Sequence, residues 1–192
     1  MKQDVVLAGV GGHGVISLGM VLATCARAEG FEVQMAEVHG MAQRGGSVHA
    51  TLRISDQPVH GALVPRGGAD LVLATEPLEA LRYADELSPE GTLMTAADPH
   101  ENIDGYPDLD ELLARLRALP HSHVIEAGRL AREAGTAKAA NVVMAGAAST
   151  LLPIRAATFE DQIRRVFAAK GERVVDANLE AFRRGREAAQ QS

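Results

Sequence analysis

The chain opens with an apolar run, "DVVLAG", that shows no alternation before it meets glycine. An unbroken apolar run ending at a turn residue predicts a parallel strand buried on both faces. From His13 to Glu29 the pattern changes, with Leu, Met and Ala recurring without proline until Gly30. That predicts a well-buried helix closed by a C-terminal glycine. "FEVQMAEV" reads as a second strand, so this part of the chain spells a right-handed βαβ unit.

Further on, "SVHATLRIS" alternates with a period of two. Val48, Ala50, Leu52 and Ile54 share one face; Ser47, His49, Thr51 and Arg53 share the other, which predicts a strand with one wet or partner-facing side. A loop follows over 56–68, then the buried strand "ADLVLATEP". Pro77 is placed to start the helix "PLEALRYADEL". "GTLMTA" is another strand, 97–110 is linker-like, "LDELLARLRAL" is helical, and "HSHVIEA" is a short strand. From Ala127 the pattern is mostly helical. Thr158 and Asp161 stand at the capping-box offset, and Asn141 and Asn178 are placed as N-caps of apolar helices. The small residues of "MAGAAS" predict close approach to a neighbouring helix or subunit. Strands alternating with helices predict an α/β, Rossmann-like three-layer sandwich with a mostly parallel sheet, residues 1–192 forming a single domain.

Charge and cysteine content narrow the function. The formal net charge is −6, which argues against a nucleic-acid partner. The Arg183, Arg184 and Arg186 cluster suits the last turns of a helix. No apolar stretch is long enough to span a membrane, and no signal-peptide anatomy precedes the first strand, so a cytoplasmic protein is expected. The one cysteine, Cys25, sits in an apolar helical run and reads as a buried free thiol. Alone it holds neither an iron–sulfur cluster nor a structural zinc. The spacing of His39, His49 and His60 matches no standard metal motif, and no metal site is expected.

Two glycine-rich stretches carry the candidate chemistry. "GVGGHG", residues 9–14, fits G-x-G-x-x-G and lies between a strand and a helix, the context in which glycines bring backbone close to a pyrophosphate. Glu37 falls near the end of the second strand, where a dinucleotide site places its acidic residue. The second stretch, "EVHGMAQRGGSV", packs Glu37, His39, Gln43 and Arg44 with glycines between two strands, and loops of such cost usually carry function.

Taken with "NVVMAGAAS" and "NLEAFRRG", these stretches resemble the gamma-type domain of the 2-oxoacid:ferredoxin oxidoreductases, in particular the small subunits of the indolepyruvate branch. The resemblance runs from Val5 to about Gly185. One position departs from the family pattern: His13 stands where the family usually has Gln, and it adds a titratable ring. The resemblance implies a heteromeric enzyme that oxidatively decarboxylates arylpyruvates to acyl-coenzyme A. It implies thiamine diphosphate, magnesium and iron–sulfur clusters on a large partner subunit, coenzyme A as co-substrate, and ferredoxin served through the complex. This chain lacks a cluster cysteine set and a G-D-G stretch followed by Asn, so it binds none of these alone and is expected to be inactive in isolation. The site residues implied are Gly9, Gly11, Gly12, His13, Gly14, Glu37, His39, Gln43, Arg44, Gly45 and Gly46. They would bind a cofactor or close the partner's active site, with Arg44 as the anion contact; none is catalytic. Two alternatives stay open, a stand-alone dinucleotide-binding oxidoreductase and a pure assembly module; under the leading reading the chain can form a homodimer when isolated from its partner.

Overall fold

The computed structural model describes residues 1–39, 45–101 and 103–191, with His39 described for its backbone alone. Six strands form one sheet in the order β2-β3-β1-β4-β5-β6. They are β1 (Lys2–Val10), β2 (Glu32–His39), β3 (Ser47–Ser55), β4 (Ala69–Ala74), β5 (Leu87–Ala96) and β6 (Ser122–Ile125). β1, β4, β5 and β6 pair in parallel, while β3 runs antiparallel to both its neighbours. The mostly parallel α/β sheet is therefore as the sequence predicts.

The βαβ unit needs correction. β1 and β2 run the same way but do not touch, because β3 lies between them, with Gly9 opposite Val48 and Val48 opposite His39. The alternation of β3 explains the insertion. Its apolar face, Val48, Ala50, Leu52 and Ile54, is buried, and its polar face finds partners inside the chain. Thr51 donates to the Ala62 carbonyl at 2.8 Å, and Arg53 reaches Asp4 at 2.9 Å and the Gly61 carbonyl at 3.2 Å. The side expected to be wet or partner-facing is thus engaged within the chain, Thr51 and Arg53 by the 56–68 excursion.

Helices lie on both faces of the sheet. Alternate residues of β1 divide between the layers: Val5 and Leu7 pack into the core under α1 (Val15–Ala28), α4 (Ala127–Glu133), α5 (Ala140–Ala148), α6 (Ala156–Phe167) and α7 (Glu172–Gln190). Ala8 faces the opposite layer, with α2 (Pro77–Arg82) and α3 (Leu109–Arg117), and Val6 packs with Val64, Ala69 and Val72. Each fully buried leucine here, such as Leu7 or Leu22, stabilises the fold by roughly 1.5–3 kcal/mol. Cys25 is buried within α1, and burial pushes its thiol up to about 12.

Helix starts follow the sequence at α2, where Pro77 occupies the first turn and the Glu76 carboxylate accepts from the Glu79 N–H. They depart from it elsewhere. Thr158 lies inside α6 and donates to Glu29 at 2.6 Å instead of capping its own helix. Asn178 is buried in the middle of α7, bonded to the Val174 carbonyl at 2.8 Å. Arg183 and Arg184 lie before the last turn of α7, where they pair with Glu160 on α6 and Glu133 on α4. The small residues of α5 act within the chain. A Cβ at Gly146 would strike the Phe182 carbonyl, and one at Gly185 would strike the Val143 carbonyl, so α5 and α7 cross at backbone contact.

Candidate functional site

The first glycine stretch follows β1 directly. Val10 and His13 close a tight turn, the His13 N–H donating to the Val10 carbonyl at 3.1 Å. Gly12 and Gly14 have φ of 92° and 78°, left-handed backbone that a residue with a Cβ adopts at a cost of about 1–2 kcal/mol. Gly14 is the N-cap of α1, and among the described residues no side chain caps that end. At Gly9 the requirement is space: a Cβ would meet Thr75 Oγ1 and, at 2.6 Å, Val15 Cγ2.

The two glycine stretches meet. The Gly11 N–H donates to the Gly46 carbonyl at 2.8 Å, and the Gly45 N–H donates to the Gly11 carbonyl at 3.1 Å. This reciprocal pair clasps the loop after β1 to the one before β3. Gln43 and Arg44 lie outside the described residues, as does the side chain of His39.

The clasp leaves a cleft of about 380 Å³ lined by Gly11, Gly12, Gly14, the first turn of α1 and Glu37. Glu37 therefore faces the glycine loop although β3 separates the strands that carry them. The Gly11 and His13 N–H groups are already engaged. Among the described residues, donors at this edge include those of the first turn of α1, Val15 to Ser17, which have no intrahelical acceptor. A helix end whose first-turn N–H groups have no intrahelical acceptor, and with no acidic residue in that turn, suits a phosphate or carboxylate.

A second cleft, of about 360 Å³, opens on the other side of the same loop, between the ends of β1, β4 and β5. It brings together His13, Thr75, Asp98, His100, Lys138 and Asn141. The His13 and His100 rings lie 4.1 Å apart. Burial and the neighbouring His100 hold the His13 imidazole below 6.5, while the Glu76 carboxylate pulls the other way. Glu76 is buried beneath this pair, receiving the Tyr106 hydroxyl and, at 3.4 Å, the His100 N–H. The Asp98 carboxylate accepts from the Gly128 N–H at 2.8 Å.

Sequence reading missed this second half of the site. The signal available was positional: 75–77 and 97–100 follow the C-terminal ends of parallel strands, where ligands of open α/β sheets gather. Asn141 was expected to cap α5. It stands instead within the first turn of α5 and donates to the His13 and Gly14 carbonyls.

Behind the clasp lies a buried polar group. Ser47 donates to Glu79 at 2.5 Å, and the Tyr83 hydroxyl lies 2.9 Å from His49 Nδ1. His49 thus belongs to this network, and burial lowers its pKa. Among the described residues, no three His, Cys, Asp or Glu side chains gather as a metal-ligand set. No described helix is long and apolar enough to cross a membrane.

Known proteins resemble this chain in sequence and in fold. The chain is 37% identical over its full length, and over the full length of the relative, to the indolepyruvate oxidoreductase subunit IorB of Methanothermobacter thermautotrophicus. It is 38% identical, over 96% of its length and 94% of the relative's, to the same subunit of Archaeoglobus fulgidus. Among solved structures it superposes on the 2-oxoglutarate:ferredoxin oxidoreductase of Magnetococcus marinus, determined with 2-oxoglutarate, coenzyme A and succinyl-CoA bound. That match has a TM-score of 0.78 at 26% identity, covering all of this chain and 31% of the other. Residues 4–188 match the family model for pyruvate ferredoxin/flavodoxin oxidoreductase, and the chain belongs to that family.

Proposed function

We propose that this chain is the small, gamma-type subunit of a heteromeric oxidoreductase that decarboxylates an arylpyruvate such as indolepyruvate to acyl-coenzyme A, working in the cytoplasm. Residues 1–192 then act as one domain. The observation that carries the reading is the clasp between Gly11 and the Gly45–Gly46 pair. It presents the uncapped end of α1 at a cleft, on a chain resembling indolepyruvate oxidoreductase subunits along its whole length.

The chain's own residues set the division of labour. Thiamine diphosphate, magnesium and iron–sulfur clusters belong to the large subunit. A cluster needs several thiolates, and the one thiol here is buried and held protonated. The cofactors supply the carbanion and electron-transfer chemistry there, and ferredoxin is reached through the complex.

This chain would supply a wall. Gly9, Gly11, Gly12 and Gly14 bring backbone close to the partner or to coenzyme A, and the first turn of α1 offers N–H groups to an anion. Arg44 adds the cationic contact, while Glu37, His39, Gln43, Gly45 and Gly46 set the shape of the second loop. His13 lies between the two clefts and gives the wall a titratable edge.

The rival reading, a free-standing dinucleotide oxidoreductase, is separated by calorimetric titration of the isolated chain with NAD, NADH and FAD. Our reading predicts no saturable binding at millimolar nucleotide. Micromolar binding, abolished by a bulky substitution such as Gly12→Val, would return the glycine motif to a dinucleotide site.

A further inference from the structure

Away from the glycine clasp, the helical face of the molecule carries a larger concavity of about 780 Å³. It lies between residues 134–138, the 3₁₀ turn Ala168–Lys170 and the first half of α7. Its apolar part includes Phe167, Val174 and Ala177, and its cations are Lys138, Lys170 and Arg173. All three cations are exposed. Among the described residues none of the three forms an ion pair; on neighbouring helices and their flanks Arg129, Arg155, Arg164, Arg183 and Arg184 do, while Arg132 and Arg165 do not. Lys170 stands 5.3 Å over the Phe167 ring. Asp176 and Glu180 also line the cavity, but Glu180 is held by Arg184 at 2.8 Å.

Two of the chain's three lysines meet here in a protein of net charge −6. The cavity also continues into a second feature, since Lys138 and Phe167 line an apolar trough of about 230 Å³ between α1, α5 and α6. Leu18, Val21, Val142 and Ile163 line that trough. Val166 on its wall is 48% exposed, and Met20, one residue before Val21, is 55% exposed. The result is one continuous face, apolar at one end and cationic at the other. An interhelical trough of this kind accepts the apolar side of a helix.

We propose that this face docks an acidic amphipathic segment of the large subunit, its apolar side chains in the trough and its carboxylates on Lys138, Lys170 and Arg173. The proposal rests on the heteromeric reading above. A second copy of the chain fits poorly, because twofold pairing through this face would bring its cations together. A small anion would leave the trough uncovered.

The test is co-expression of the tagged chain with its large subunit, followed by affinity and sizing measurements across a salt series. The variants are Lys138→Glu/Lys170→Glu/Arg173→Glu, Val166→Asp, and the conservative Lys138→Arg/Lys170→Arg/Arg173→Lys, each checked for an unchanged thermal melt. The proposal predicts that charge reversal weakens assembly about tenfold or more at low salt and inverts its salt dependence, added salt now favouring assembly. Val166→Asp should weaken assembly while leaving the sign of the salt slope as in wild type, and the conservative variant should match wild type. If charge reversal leaves affinity and salt slope unchanged while wild type assembles, the docking face is wrong and the subunit reading stands. If wild type does not assemble, both fall. Inorganic pyrophosphate binding that requires the three cations, with assembly unaffected by their reversal, would assign the cavity to a small anion and overturn the proposal.

Discussion

Asn141 Nδ2 donates to the His13 carbonyl at 2.9 Å and to the Gly14 carbonyl at 3.3 Å, tying the start of α5 to the glycine loop 127 and 128 residues away. The same amide occupies the space a Cβ at Gly14 would need. One side chain therefore fixes the loop's position and enforces glycine at the helix cap.

Asn141→Ala should loosen this tie at a cost of about 1 kcal/mol, the net worth of a typical hydrogen bond. Chemical denaturation measures the loss. In the complex the same variant should raise the coenzyme A requirement, because the edge of α1 is no longer held. A variant with wild-type stability and kinetics would remove Asn141 from the site.

The crossing of α5 and α7 makes a sharper demand. Gly185→Ala places a methyl on the Val143 carbonyl, and Gly146→Ala places one on the Phe182 carbonyl. Each should lower stability by about 1–3 kcal/mol through forced separation of the helices. Urea melts of the two variants check this, and the double variant should fall short of the sum, since one displacement relieves both contacts.

Much of this architecture is legible in the sequence, for identifiable reasons. The buried strands, α1 with its closing Gly30, and Pro77 at the start of α2 follow from local pattern and local sterics. What the pattern does not carry is pairing. Nothing local tells β3 to insert between β1 and β2; its polar face reads as wet because its partners, Ala62, Asp4 and Gly61, are distant or lie in an irregular segment. The same holds at the site. The glycine loops are visible as letters, but Asn141, His100 and Thr75 join them only through the sheet's topology, and Asn141 looks like an ordinary helix cap until the fold brings His13 beside it.

Glu79 gives a pH prediction. Burial raises its pKa above the ordinary 4.5, against the opposing pull of the Ser47 hydroxyl and Arg82. The folded state therefore holds this proton more tightly than the unfolded chain. Stability from this group is full below about 4.5 and is lost as pH rises through the folded value. Glu79→Gln should flatten that part of the stability profile and leave the protein relatively more stable at neutral pH. A profile unchanged by the substitution would show that Glu79 titrates as an exposed carboxylate.

His13 shifts in the opposite sense. Held below 6.5 by burial and by His100, it favours the neutral ring in the folded state. Its contribution to stability is present above about 6.5 and is lost as pH falls through the folded value. In an NMR titration, His100→Ala should move the His13 midpoint upward, since that ring's repulsion disappears. His13→Gln should remove the corresponding acid limb from the activity of the complex.

Cys25 supplies a test of packing. With its thiol at about 12 and fully buried, it should resist an aromatic disulfide reagent at pH 8 in the folded protein and react quickly once unfolded. Fast reaction under native conditions would mean that α1 opens readily from the core.

The central claim, that this chain completes an active site whose cofactors lie elsewhere, is tested most directly by anaerobic add-back. The large subunit, purified alone, is titrated with this chain while viologen reduction dependent on indolepyruvate and coenzyme A is followed. The account predicts negligible rates for either component alone and a saturating rise at fixed stoichiometry, with Arg44→Ala raising the coenzyme A or substrate requirement. Full activity of the large subunit without this chain would contradict it.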